Sequence, residues 1–72
     1  MAMRIKSLRE AANLTQVQLA DKLGVLSTTV SNWETGVALP KTIILPQLAE
    51  VFDCSIDDLY EQDSPEHHQT TN

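Results

Sequence analysis

The sequence predicts an all-α fold, a compact bundle of five short helices with a helix-turn-helix at the second and third. Three observations carry this. The stretch from Thr15 to Glu34 reads as two short helices about a tight turn at Gly24. Apolar residues on both sides of that stretch recur three and four apart, the spacing of one helix face. A chain of 72 residues makes one domain, with residues 1–62 as the folded part and 63–72 as a polar tail.

The first helix is expected over residues 3–12. Ile5, Leu8 and Ala12 form its apolar stripe, and Asn13 can follow it because Asn tolerates the left-handed conformation. The second helix is expected over 16–23. Thr15 is its N-cap, and Gln18 can reach back to the Thr15 N–H to complete a capping box. Leu19, Ala20 and Leu23 share its inner face. Gly24 then takes the C′ position, which needs a positive φ.

The third helix, over 27–34, is opened by Ser27, Thr28 and Thr29. Val30 and Trp33 face inward, with Leu26 one turn before Val30, while Thr28 and Asn32 face the other way. A Trp on the inner face is a core anchor rather than a stacking surface for bases. Gly36 ends this helix. Residues 37–45 read as a loop, and Pro46 fits the first position of a fourth helix, where a missing N–H costs nothing. Leu45, Leu48, Ala49 and Phe52 are its buried stripe. Ser55 caps a last short helix over 56–61, with Asp57 and Asp58 in the first turn, where the helix dipole favours acids. Ile56, Leu59 and Tyr60 would close the core or supply a dimer contact. From Asp63 onward no apolar residue remains, so residues 63–72 are expected to be disordered.

Composition excludes several classes. A single cysteine, Cys54, allows no internal disulfide, and with no signal-peptide pattern at Met1–Lys6 the expected compartment is a reducing cytoplasm. The longest apolar runs are three or four residues, too short to span a membrane. Cys54 sits among acids, where a thiol is a small core residue and not a nucleophile. His67 and His68 lie in the tail, so Ser-His or Cys-His catalysis lacks a positioned base, and no zinc set exists. No enzyme activity, metal or cofactor is expected.

The formal net charge of −5 argues at first against a nucleic-acid partner. Its distribution reverses the reading. Residues 1–22 carry Arg4, Lys6, Arg9 and Lys22 against Glu10 and Asp21, and residues 23–49 carry Lys41 against Glu34. All seven remaining acids follow position 49, with no Lys or Arg among them. The local field at the helix-turn-helix, mildly basic, is what a phosphate would meet.

Leu14-Thr15-Gln16, Leu19-Ala20, Leu23-Gly24-Val25, Val30-Ser31, Trp33-Glu34, Gly36, Pro40, Leu48-Ala49 and Ser55-Ile56-Asp57-Asp58-Leu59 fall in one register. With these residues the chain resembles the lambda-repressor and Cro type of helix-turn-helix, the XRE family, over roughly residues 3 to 60. Asp53 departs from the pattern, since the family usually has Gly there. The resemblance implies a cytoplasmic regulator of a prokaryotic cell, phage or mobile element that binds double-stranded DNA. Repressor is favoured over activator, because no separate activation or sensing domain fits in the chain.

The resemblance also assigns roles. The third helix would enter the major groove, with Ser27, Thr28, Thr29 and Asn32 facing base edges. Asn can pair with adenine N6/N7, and a Thr methyl can pack on a thymine methyl; no Arg or Lys is placed for guanine, so an A·T-biased site is expected. Thr15, Gln16, Lys22, Ser31, Thr35 and Lys41 would face phosphates. Free N–H groups at the start of the second helix suit this. The loop after the third helix normally supplies basic or Asn contacts; Thr35, Val37, Ala38 and Leu39 replace them here, which lowers the expected phosphate affinity.

Arg9 and Glu34 correspond to a structural pair tying the first helix to the third; the alternative is two surface charges worth under about 1 kcal/mol. Weak half-sites imply a homodimer. Val37, Leu39, Ile43 and Ile44 are more apolar than a solvent loop needs and are interface candidates, unless they only cover the small core. A second function class stays open: an interaction module, or antitoxin-like protein, binding a partner protein through the apolar 37–45 loop and the acidic end.

Overall fold

A computed structural model describes residues 3–61. Four α-helices follow in order: α1 (Ile5–Ala11), α2 (Gln16–Leu23), α3 (Ser27–Thr35) and α4 (Leu45–Phe52). Single 3₁₀ turns at Thr42–Ile44 and Asp57–Leu59 complete the chain. The expected tail at 63–72, with His67 and His68, lies outside the described residues.

Local hydrogen bonds set the helix ends. The Thr15 hydroxyl accepts from the Gln18 N–H at 3.0 Å, and the Gln18 side chain accepts from the Thr15 N–H at 2.8 Å. This is the reciprocal capping box, and it starts α2 after an extended Thr15. Gly24 (φ 73°) and Gly36 (φ 84°) end α2 and α3 in the left-handed region. Asn13 (φ 61°) and Asp53 (φ 55°) do the same work after α1 and α4 without being glycines. A left-handed Asp is strained by about 1 kcal/mol or more. Asp53→Gly is therefore expected to raise the thermal midpoint by a few degrees, read by circular dichroism; a fall would show that Asp53 has a stabilising contact.

The core gathers one face from every element: Ile5 of α1, Leu19, Ala20 and Leu23 of α2, Val30 and Trp33 of α3, Leu48 of α4 and Leu59 of the last turn. Val25 and Val30 stand at the N′ and N4 positions of α3, where a hydrophobic staple fixes the entry of the chain. Pro40 is also buried, which anchors the long connection.

Several expectations are corrected. The first helix begins at Ile5, not at residue 3, because Met3 pairs with Tyr60 in an antiparallel bridge and the Arg4 N–H donates to the Leu59 carbonyl at 2.6 Å. Ala12 is the C-cap of α1 and exposed, so it leaves the apolar stripe. Leu26 is the N-cap of α3 and 72% exposed; it does not join Val30 in the core. α4 begins at Leu45, which puts Pro46 at the second helical position, where an N–H is still not needed. The segment 37–45 is not all loop, since Thr42–Ile44 winds into a 3₁₀ turn. The fifth helix is reduced to one 3₁₀ turn. Ser55 and Asp58 cap it reciprocally, but Tyr60 must be extended to reach Met3, and that stops the helix.

Candidate nucleic-acid interface

α2 packs on the inner side of α3, and this leaves the opposite side of α3 free. Val30 and Trp33, buried three apart, fix the rotation of α3 about its axis. Thr28 is then exposed, and Ser27, Thr29, Ser31 and Asn32 are half-buried. The side chains of Ser27, Thr28, Thr29 and Asn32 make no hydrogen bond to the described residues. Four polar groups on a rigid helix are thus available to an external partner.

A network beneath this face holds it in place. Arg9 of α1 donates from Nε to Glu34 Oε2 at 2.6 Å and from Nη2 to Glu34 Oε1 at 3.3 Å. Its Nη1 donates to the Leu14 carbonyl at 2.8 Å. Gln16, at the start of α2, donates from Nε2 to Glu34 Oε1 at 2.9 Å. The side chains of Arg9 and Glu34 are only 11% and 4% exposed. Burial pushes the Glu34 carboxyl up, but the hydrogen bonds from Arg9 and Gln16 and the charges of Arg9 and Lys6 outweigh it, so it ionises more readily than usual. Donating the same hydrogen bond to Glu34 raises Arg9 against a smaller opposing effect of burial.

A carboxyl depressed in the folded state stabilises the fold fully above its ordinary value of 4.5, and this is lost as pH falls through the lower folded value. Acid unfolding should therefore steepen below about pH 4.5. In Glu34→Gln, a less stable protein, the acid limb should be shallower; an unchanged limb, measured by urea unfolding at several pH values, would mean Glu34 is not coupled to folding.

The phosphate candidates divide. Lys22 and Lys41 are exposed, and their side chains make no hydrogen bond or ion pair to the described residues. Arg4 donates to the Asp58 carbonyl at 3.2 Å, so it is drawn to the acidic end. The Thr15 hydroxyl is occupied as the cap acceptor, whereas the Gln16 and Val17 N–H groups at the start of α2 have no intrahelical partner. Gln16 keeps one amide hydrogen beyond the one given to Glu34. Thr35 donates its hydroxyl to the Ser31 carbonyl at 3.0 Å, so it reaches a phosphate only by giving up that bond.

An open groove of about 520 Å³ lies along α3 from Thr29 to Trp33 and is lined by Thr29, Asn32, Trp33, Leu39, Lys41 and Ile43 among others. It places Lys41 and Asn32 on one groove, which their distance in sequence does not suggest. Val37, Leu39 and Ile43 are all more than 70% exposed, and Leu39 and Ile43 line the groove. Ile44 instead packs against the core, so the turn presents Ile43 and hides Ile44. The link from Gln16 to Glu34 was also not legible in the sequence; only the Arg9–Glu34 half carried a signal.

A family model described as helix-turn-helix matches residues 5–59. The chain belongs to the helix-turn-helix family. Within that family the lambda-repressor and Cro type is shown by its relatives. The chain is 38% identical over 56 residues to the cryptic phage CTXphi transcriptional repressor RstR of Vibrio cholerae, covering 78% of this chain and 50% of that protein. It is 39% identical over 56 residues to the HTH-type transcriptional activator BcrR of Enterococcus faecalis, covering 78% of this chain and 28% of that one. It thus spans half or less of the length of these two relatives. An uncharacterized HTH-type transcriptional regulator of Archaeoglobus fulgidus is 35% identical over 66 residues, 92% of this chain and 93% of its own. In structure the chain is similar to the P22 c2 repressor, solved with a synthetic operator: TM-score 0.76, 30% identity, 83% of this chain and 91% of that one. The all-α class and the helix-turn-helix at α2 and α3 agree with this membership. No described helix of this family member is long and apolar enough to cross a membrane.

Proposed function

We propose that the chain is a sequence-specific DNA-binding transcriptional regulator, a repressor that reads a two-fold symmetric operator as a dimer with α3 in the major groove. The observation that carries this is the outer face of α3. Ser27, Thr28 and Asn32 are unpartnered polar groups on a helix whose rotation is fixed by Val30 and Trp33 and whose end is held by Glu34. A likeness to a repressor solved on operator DNA supports the same placement. Asn32 would take adenine N6/N7, while Thr28 and Thr29 offer hydroxyls and methyls to neighbouring bases. The free N–H groups at the start of α2, with Gln16, would hold one phosphate, and Lys22 and Lys41 others.

Two protomers would engage about four to six phosphates, giving a slope of log K against log salt of about −4 to −5. Affinity for a selected duplex should fall about 300- to 1,000-fold between 50 and 200 mM salt. A fluorescence-anisotropy titration at two protein chains per duplex reads both slope and stoichiometry. A flat salt dependence would remove phosphate contact from the account.

The exposed ridge of Val37, Leu39 and Ile43 favours a second partner surface. A symmetric contact between protomers is one use. Capture of a partner protein, on an interaction-module or antitoxin-like reading, is the other. Light scattering of the free chain separates a self-contact from a surface that stays monomeric.

A further inference from the structure

The N-cap of α3 breaks a local rule. Ser, Thr, Asp and Asn are favoured there because a side-chain oxygen can accept from the second or third helical N–H. This chain has Leu26, with the extended backbone of an N-cap (φ −82°, ψ 150°) and no side-chain cap. The Ser27 and Thr28 N–H groups are left without intrahelical partners. The core does not explain the choice, because Val25 and Val30 already staple the helix entry and Leu26 is 72% exposed. A large apolar side chain stands where folding prefers a small polar one.

We infer that Leu26 is a specificity-determining residue that reads a thymine methyl at the edge of the half-site. This rests on the placement of α3 proposed above. A recognition helix meets the bases with its N-terminal residues, and Leu26 directly precedes Ser27 and Thr28. Of the groups in the major groove, the thymine C5-methyl is the apolar one, and it separates T from C at the same position. Leu26 offers an apolar surface that faces water in the free protein, so covering it on DNA is favourable. Sites that depart from local preference without a packing reason are where function is expected.

The test compares the wild type with Leu26→Ala and Leu26→Ser on the duplex selected by the wild-type chain, and on copies in which each thymine in turn is replaced by deoxyuridine, which lacks only the methyl. Removing the right methyl should weaken wild-type binding about fourfold per half-site, about fifteenfold for a symmetric pair. At that position Leu26→Ala should bind the methylated and unmethylated duplexes equally. Leu26→Ser, which restores a cap, should bind weakly while its thermal midpoint rises by about 4–8 °C. Uracil replacement that is neutral at every position, or that weakens wild type and Leu26→Ala alike at every position where it acts, overturns the inference while the DNA-binding reading stands. Failure of the wild-type chain to select any duplex removes both.

Discussion

Arg9→Ala should leave about half of the molecules unfolded at 25 °C. The guanidinium joins α1 to Glu34 of α3 through two hydrogen bonds and to the Leu14 carbonyl through a third. Both side chains are nearly buried, so the substitution strands an ionised Glu34 with only Gln16 to donate to it. Breaking a buried pair from one side costs about 3–5 kcal/mol. A single core of this size supplies about 3–5 kcal/mol in total. The two figures are equal, so the net stability falls to about zero and folded and unfolded molecules are about equally populated. Replacing both partners by apolar residues, as in Arg9→Met with Glu34→Leu, should recover most of the stability, because no charge is then left alone. Urea unfolding followed by circular dichroism measures each variant. A cost below about 1 kcal/mol for Arg9→Ala would show that the pair behaves as a surface contact.

Replacing Ser27, Thr28 and Asn32 together by Ala should lower operator affinity by about 10³-fold or more, to the level of non-specific binding. These side chains have no partners among the described residues, so the fold loses nothing by their removal. Ala also raises helix propensity at all three positions. The variant should therefore melt at or above the wild-type temperature while it keeps no more than the roughly fifteenfold preference that Leu26 supplies. Its salt slope should stay close to that of the wild type, since the lysines and the start of α2 are unchanged. A variant that still prefers the operator by about 10³-fold would move base reading away from Ser27, Thr28 and Asn32.

What was legible in the sequence was local. The Thr15–Gln18 capping box, the left-handed ends at Asn13, Gly24, Gly36 and Asp53, and the inward pair of Val30 and Trp33 are each decided by residues within one or two helical turns. Propensity, capping and periodicity act at that range. What was not legible joins distant parts of the chain. The bridge from Met3 to Tyr60 shortens both terminal helices, and no local pattern at either end announces it. The bond from Gln16 to Glu34 needs α2 and α3 to be packed before the two side chains meet. Leu26 was misplaced because periodicity counts its spacing from Val30, whereas the helix starts one residue later and turns its N-cap outward. At the candidate interface, resemblance supplied the roles of Ser27, Thr28 and Asn32, and structure showed that they are free to act. Lys41 on one groove with Asn32 came from the course of the connection between α3 and α4.

The account rests on α3 as a reader of duplex DNA, and selection of bound duplexes from a random pool at low salt, about 50 mM, tests this most directly. It predicts a two-fold symmetric, A·T-biased consensus with half-sites about one helical turn apart. A folded protein that enriches no sequence would contradict it, and would turn attention to a protein partner at the Val37, Leu39 and Ile43 surface.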